Sequence, residues 1–224
     1  MTLNFDHGIT VEQPDVLVRW YNGTRNGGKP NVRHGPAFYS TSVVTGVPNS
    51  VSFPDLVWAT LLDGQPRGDA ALHLLNLGRV SLTNVATAPL HSVSPVVDIS
   101  GIAAVLSSLC GPGVGCSIVS KMAHRKRRAT IPVMDNGAIF GSFDNASWLP
   151  WDTPRRVGTV KQAIRIEKAL LAIHKVVALP ANDPDWLLLE TSWPNLTRVQ
   201  LFDQCWWAML WAGASVRYQA GVLP

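Results

Sequence analysis

The sequence predicts a mostly α-helical protein. Several segments place apolar residues at helical spacing, whereas strictly alternating apolar and polar residues are scarce. Apolar residues make up 46% of the 224-residue chain. A chain of this length can bury a substantial core, as a single domain spanning 1–224 or as two closely joined lobes. We therefore expect a folded, helical protein and not a disordered one.

The first half of the chain predicts three helices. The first covers residues 15–21, and the glycine- and proline-rich run 22–36 after it is predicted as loop. A small strand element is expected within 38–52. Pro54 stands at an early helical position and indicates a helix over 56–62, and apolar spacing indicates another over 69–77.

The second half predicts four further helices, at 102–109, 116–125 and 160–177, with a final one ending at 210. Asp98 or Ser100 is expected to cap the first of these, and Asn195 or Thr197 the last, because short polar side chains satisfy the N–H groups at helix starts. Residues 186–190 fit either a helix or an extended segment.

Charge and cysteine content exclude some classes of protein. The net charge of +4 and the isoelectric point near 9.2 are compatible with nucleic-acid binding but do not require it. No run is apolar enough to span a bilayer and the first ten residues lack a signal-peptide core, so a cytoplasmic location is expected. Three cysteines indicate reduced thiols and exclude a four-cysteine iron–sulfur cluster, and no Cys/His spacing indicates zinc.

The most informative motif is a glycine-rich turn, Gly111-Pro112-Gly113-Val114-Gly115, followed twenty positions later by Asp135. Glycine takes positive φ without steric cost, so this run predicts a tight hairpin between two helices, within a helix-hairpin-helix unit at 100–140. Main-chain N–H groups of such a hairpin, with the N-terminal end of the next helix, suit a phosphate. Where that phosphate belongs to a DNA strand, a carboxylate just beyond the helix is expected to lie near the same strand.

These residues resemble the helix-hairpin-helix DNA glycosylase superfamily, which includes endonuclease III and the alkyladenine and 8-oxoguanine glycosylases. That family combines a Leu-Pro-Gly-Val-Gly hairpin, a helix and a Pro/Ala-Val-Asp segment, which this chain matches with 111–115 and with Ile131-Pro132-Val133-Met134-Asp135. Together with Phe53-Pro54-Asp55-Leu56 and Leu201-Phe202-Asp203, the stretch also looks like a family of bacterial proteins without an assigned function. The resemblance implies a two-lobed helical glycosylase-like fold with Asp135 as the catalytic acid.

One departure from the family pattern bears on the reaction. Bifunctional members carry a lysine two residues after the last hairpin glycine, and its amine forms a Schiff base with the sugar. This chain has Ser117 there, so strand cleavage by that route is not expected. Lys121, one turn along the same helix face, is a weak substitute.

Asp135 is the predicted catalytic residue. Cleavage of an N-glycosidic bond builds positive charge on the sugar, and a nearby carboxylate stabilises that charge and orients or deprotonates a water molecule. The alternative is an aspartate that caps the next helix near Gly137.

The predicted phosphate-binding residues are the hairpin and the basic run that follows its second helix. They are Gly111, Gly113, Val114, Gly115, Ser117, Arg125, Lys126, Arg127 and Arg128. The alternatives are a plain turn between two helices and a solvated helix end whose cations complement the helix dipole. A monovalent cation is often held by hairpin carbonyls in the resembled superfamily; no organic cofactor and no other metal are expected.

A base flipped out of the duplex needs aromatic walls. Trp20, Tyr21, Trp58 and Trp207 are candidates for that pocket, although such side chains are more often part of a core. The prediction is a monomeric, monofunctional glycosylase acting on double-stranded DNA, on a damaged base or on a modified base of phage DNA as antiviral defence. The alternatives are a noncatalytic DNA-binding module and a structural interaction protein with an incidental hairpin.

Overall fold

The computed structural model describes residues 1–5, 9–25, 29–30, 35–40, 46–62, 68–134, 139 and 159–211. The protein is mostly α-helical, as predicted. The helices in this part of the chain are α1 (Pro14–Asn22), α2 (Gly35–Ser40), α3 (Leu56–Thr60), α4 (Gly68–Leu77), α5 (Asp98–Ser108), α6 (Cys116–His124), α7 (Thr159–Val177), α8 (Asp183–Ser192) and α9 (Arg198–Trp211). None of them is both long and apolar enough to cross a membrane.

Short antiparallel strand pairs accompany the helices. They are β1 (Thr2–Phe5) with β2 (Ile9–Glu12), β3 (Thr24–Arg25) with β4 (Lys29–Pro30), and β5 (Ser50–Val51) with β6 (Val80–Ser81). Strand β5 lies within the range 38–52 where a small strand element was expected. The β1–β2 and β3–β4 pairs and helix α2 were not predicted, and the prediction of loop over 22–36 is wrong at β3 and β4. Leu3, Phe5 and Val11 alternate with exposed residues and are buried, so the signal was present but only four residues long on each strand.

The helices pack in pairs around one apolar cluster. Helix α1 packs on α9, α5 on α7, and α3 on α6. Trp186 of α8 and Trp206 of α9 are among the largest fully buried side chains. The α5–α7 and α3–α6 contacts hold the two helices that flank the predicted hairpin.

The caps predicted for α5 and α9 had opposite outcomes. Helix α5 begins at Asp98, four residues before the predicted start, and Val97 precedes it without a side-chain cap, so the expected cap at Asp98 or Ser100 is wrong. Helix α9 is capped as predicted at Thr197, whose Oγ1 accepts the Gln200 N–H at 3.3 Å while Gln200 Oε1 accepts the Thr197 N–H at 3.0 Å. This reciprocal pair is a capping box. Residues 186–190 are helical, within α8.

Candidate functional site

A tight hairpin joins α5 to α6. The Gly111 N–H donates to Val114 O and the Val114 N–H donates to Gly111 O, both at 2.9 Å. Gly113 lies at the tip with φ of +70°, where a side chain would be strained. Gly115 then caps α6, whose first residue is Cys116. The helix-hairpin-helix predicted for this part of the chain is therefore present.

Two of the hairpin glycines have packing reasons for being glycine. A Cβ on Gly111 would overlap the His73 ring, and one on Gly113 would overlap the Asp69 carboxylate and come 2.7 Å from the main-chain N of Ala70. Helix α4 therefore lies directly against the hairpin. His73 Nε2 also hydrogen-bonds Leu109 O at 3.2 Å, which ties α4 to the end of α5.

Neither a positive φ nor a close packing contact explains the glycine at position 115. Its φ is −94° and no described atom lies within 4 Å of the position its Cβ would take. Glycine is therefore not demanded by backbone strain or by packing against the described part of the chain. A close approach by a ligand to this exposed main chain is one reason to lack a side chain there.

Main-chain N–H groups are available around Gly115. Within the described ranges, those of Gly113, Gly115 and Ser117 donate to no acceptor, whereas those of Gly111 and Val114 are used inside the hairpin. The available groups lie at the positive end of α6 and next to the exposed residues Gly113 and Gly115. The hairpin can thus offer N–H groups to an anion, but not those of Gly111 and Val114.

The chain that leads to Asp135 is held against α6. The Met134 N–H donates to Ser120 Oγ at 2.9 Å, and Ser120 is fully buried on the helix that the hairpin begins. The Val133 N–H donates to Asp203 Oδ2 of α9 at 3.0 Å. Asp135 itself lies outside the described residues, so its catalytic role stays a prediction.

Asp203 is a buried acid beside this segment. Burial raises the pKa of its carboxyl well above the ordinary 3.8, although hydrogen bonds from the Val133 N–H and the Tyr39 hydroxyl oppose the shift. Its Oδ1 is buried and has no hydrogen-bond partner among the described residues. The sequence by itself assigns no role to Asp203 or Ser120, because only tertiary packing brings them to this segment.

His124 anchors the end of α6 in the core. Its Nδ1–H donates to Ile131 O at 2.6 Å and its Nε2 accepts from Gln200 Nε2 at 3.2 Å, so the neutral ring is satisfied at both nitrogens. Burial lowers the pKa of His124 to about 3. The ring therefore remains neutral and structural at physiological pH.

The basic run that follows does not form a solvated helix end. Lys126 Nζ lies 2.9 Å from Asp55 Oδ1, and neither side chain has any exposed surface. Arg125 donates to Phe38 O at 2.7 Å, and its guanidinium lies 4.5 Å from the centre of the Trp58 ring. Burial lowers the pKa of Arg125 to about 10, which still leaves it charged. In this arrangement neither cation is placed to meet a phosphate.

The next two arginines also hold distant segments together. Arg127 Nη2 donates to Asn49 Oδ1 at 2.8 Å and to Leu82 O at 3.2 Å. Arg128 Nη2 donates to Tyr39 O at 2.8 Å. Both side chains are half-buried, and burial lowers the pKa of each guanidinium. Phosphate contact by these two residues stays a prediction. Their hydrogen bonds to Asn49, Leu82 and Tyr39 give them a structural role as well.

Three of the four aromatic pocket candidates meet. The rings of Trp20 and Trp207 are stacked with centres 6.5 Å apart, and Tyr21 meets Trp207 edge-on at 5.6 Å. Trp58 lies against Arg125 instead. Tyr21 is buried, whereas Trp20 and Trp207 are half-buried at the junction of α1 and α9. Their role as walls for a base stays a prediction.

A cation at the hairpin also remains a prediction. The carbonyls of Gly111 and Val114 each accept one hydrogen bond, and Leu109 O accepts one from His73 in the tautomer that protonates Nε2. No group of three or more His, Cys, Asp and Glu side chains suited to a metal occurs in the part of the chain that the structure describes.

One family comparison bears on this site. Residues 15–152 match a family of unknown function (DUF6308), a range that includes the hairpin, α6 and the position of Asp135. No curated protein and no solved structure matches the chain significantly. Because the match covers more than half of the sequence, the chain belongs to the family of unknown function DUF6308.

Proposed function

We propose that the protein is a monofunctional DNA glycosylase with a two-lobed helical glycosylase-like fold. It hydrolyses the N-glycosidic bond of a flipped base in double-stranded DNA and leaves an abasic site. Asp135 stabilises the positive charge that develops on the sugar and orients the attacking water. The N–H groups around Gly113 and Gly115 bind a phosphate of the same strand.

One observation carries this proposal: the helix that begins at the hairpin also holds the residue before Asp135. Helix α6 begins at the hairpin with unpaired N–H groups, and Ser120 of the same helix holds the N–H of Met134, the residue before Asp135. A rigid helix fixes the spacing between its ends, so a phosphate at one end is held at a set distance from the acid segment. Gly115, which packing does not require, strengthens the ligand interpretation.

The absence of an amine at position 117 supports hydrolysis without strand cleavage. Ser117 cannot form an imine with the sugar. The Lys121 amine donates to Leu62 O at 2.9 Å and is buried on α6. Borohydride should therefore trap no covalent adduct with DNA, and an adduct at Lys121 would overturn this part of the proposal.

The substrate that we propose is a hypermodified base of bacteriophage DNA, which makes the enzyme a defence enzyme. The support is indirect: the aromatic side chains of α1 and α9 present two half-buried tryptophans, Trp20 and Trp207, in one place. Large stacking surfaces suit a large extruded base. Release of ordinary damaged bases alone, with phage DNA left intact, would contradict this substrate.

The test compares wild type with Asp135→Asn on damaged and phage-modified DNA, with alkaline treatment to reveal abasic sites. Asp185→Asn is the matched control, because it makes the same charge change on α8, where Asp185 Oδ2 accepts the Thr2 N–H. We expect abasic sites with wild type and Asp185→Asn, and a loss of at least about a hundredfold with Asp135→Asn.

The same experiment tests the noncatalytic alternative. A DNA-binding module would bind DNA with an affinity that falls as salt rises, and would produce no abasic sites from any substrate. A structural interaction protein would show no salt-dependent DNA binding at all. Retained binding with lost cleavage in Asp135→Asn supports the enzyme.

A further inference from the structure

The two ends of the hairpin each carry a cysteine. Cys110 follows α5 and Cys116 is the first residue of α6, with the five hairpin residues between them. Both are free thiols. The paired hydrogen bonds between Gly111 and Val114 bring the two ends of the hairpin together, so that the two thiols lie close enough to affect each other's pKa. Cys110 Sγ also lies 3.6 Å from Leu106 O, to which its thiol donates. Adjacent sulfurs are the first requirement for a disulfide.

The surroundings make the two thiols chemically unequal. The interaction with Cys110 lowers the pKa of Cys116, and the nearby Arg165 guanidinium of α7 lowers it further, against the effect of burial. The same interaction raises the pKa of Cys110. Cys116 also lies at the positive end of α6, which favours a thiolate. Cys116 therefore has the character of a nucleophile and Cys110 that of a resolving thiol.

We propose that Cys110 and Cys116 form a site of reversible oxidation, at which a disulfide closes the hairpin. The oxidant is a peroxide, which is small enough for a thiol that is only 3% exposed. The Cys116 thiolate attacks one oxygen of hydrogen peroxide and becomes a sulfenic acid as hydroxide leaves and takes up a proton. Cys110 sulfur then displaces the sulfenic oxygen as water, giving its own proton to that water. Two thiols are oxidised and one peroxide is reduced to two waters.

The disulfide has a structural consequence at the anion-binding end of α6. Cys116 Sγ now lies 2.7 Å from Gln162 Oε1 of α7, and oxidation replaces this contact with a covalent bond to the end of α5. The bond fixes the residues next to the unpaired N–H groups. A loop this short constrains the unfolded chain enough to raise the melting temperature by about 5 °C. The inference does not depend on glycosylase activity, because it concerns thiols that the proposed reaction does not use.

The third cysteine supplies a matched control. Cys205 is fully buried on α9, its thiol donates to Pro14 O at 3.5 Å, and burial raises its pKa. It should therefore resist peroxide. Digestion with trypsin places Cys110 and Cys116 together in peptide 80–121 and leaves Cys205 in another peptide.

The experiment treats the full chain with hydrogen peroxide, blocks remaining thiols with an alkylating reagent and measures the mass of each peptide. We expect peptide 80–121 to lose two hydrogen atoms and no longer be alkylated, and to recover both thiols with dithiothreitol. Cys116→Ser and Cys110→Ser should remove the mass loss, and Cys205→Ser should keep it. The wild-type measurement decides the matter even where a variant does not fold.

Three results would overturn the proposal: two alkylated thiols in peptide 80–121 after oxidation, a stable sulfinic acid on Cys116 with Cys110 still free, or a bridge that includes Cys205. An oxidised wild type that melts no higher than the reduced protein would refute the closure of the hairpin as a stabilising link.

Discussion

Replacing Lys126 by methionine distinguishes two roles for this residue: the buried ion-pair partner of Asp55, or a contact to a DNA phosphate. Lys126 Nζ and Asp55 Oδ1 are 2.9 Å apart with no exposed surface on either side chain. Asp55 Oδ2 also accepts the Ser52 N–H at 3.0 Å, at the turn that precedes α3. Methionine keeps most of the apolar stem of lysine but leaves the Asp55 carboxylate buried without its ammonium.

The magnitude follows from that burial. Removing one partner of a buried ion pair costs about 3–5 kcal/mol, because the remaining charge is desolvated and uncompensated. For a chain of this size that loss lowers the melting temperature by about 10 °C. Changing Asp55→Asn together with Lys126→Met removes both charges and should restore a large part of the loss. The two substitutions are therefore expected to be strongly non-additive.

The assay is urea unfolding followed by tryptophan fluorescence, for which the chain has nine tryptophans. Lys168→Met is the matched control on the exposed side of α7, where we expect a change within about 0.5 kcal/mol. The reasoning is refuted if Lys126→Met costs no more than the control. It is also refuted if the variant remains stable and the slope of log DNA affinity against log salt falls by about one. A change of that size is the effect of losing one phosphate contact.

Three further predictions concern the hairpin and the buried titratable groups. Gly113→Ala should lower the free energy of unfolding in urea by about 2 kcal/mol, because φ is +70° and α4 lies against the tip. Gly115→Ser should change that free energy by no more than about 0.5 kcal/mol, yet it should weaken DNA binding because the side chain covers the N–H groups. Below pH 6.5 the unfolded chain protonates His124 while the folded protein, with a pKa of about 3, does not, so stability should fall by about 2 kcal/mol between pH 7 and pH 5 relative to His124→Gln. Because the folded pKa of Asp203 is raised above 3.8, wild type should lose stability relative to Asp203→Asn as pH rises above that value.

Each of these has a clear contrary result. Equal stability of Gly113→Ala and Gly115→Ser would show that α4 yields freely at the tip, and unchanged DNA affinity of a folded Gly115→Ser would remove the anion-binding interpretation of the hairpin. A parallel pH dependence of wild type and His124→Gln would mean that His124 titrates with the same pKa in the folded protein and in the unfolded chain. A constant difference between wild type and Asp203→Asn across pH would mean that Asp203 titrates near its ordinary value.

Local sequence signals predicted most of the helices and the turn at the site. Helix α4 was expected over 69–77 and covers Gly68–Leu77, and α7 was expected over 160–177 and covers Thr159–Val177. The capping pair of Thr197 and Gln200 is likewise local. These features depend on residues within one or two turns of each other, so periodicity and capping chemistry are sufficient to predict them.

Contacts between distant residues were not predictable in the same way. The Asp203 carboxylate meets the Val133 N–H across 70 positions, and Lys126 finds Asp55 on another element. The basic run at the end of α6 therefore looked like a surface feature in the sequence. The short β1–β2 pair was not predicted for a different reason. Four residues on each strand give too little alternation to distinguish strand from loop.

The order of the amino acids alone determined the helical character, the hairpin between two helices and the position of an acid twenty residues beyond it. Tertiary structure alone decided that Arg125 and Lys126 are buried, that α4 packs against Gly111 and Gly113, and that Ser120 ties Met134, the residue before Asp135, to α6. The physical reason is that helix formation depends on neighbouring residues, whereas burial and ion pairing depend on which distant surfaces pack together.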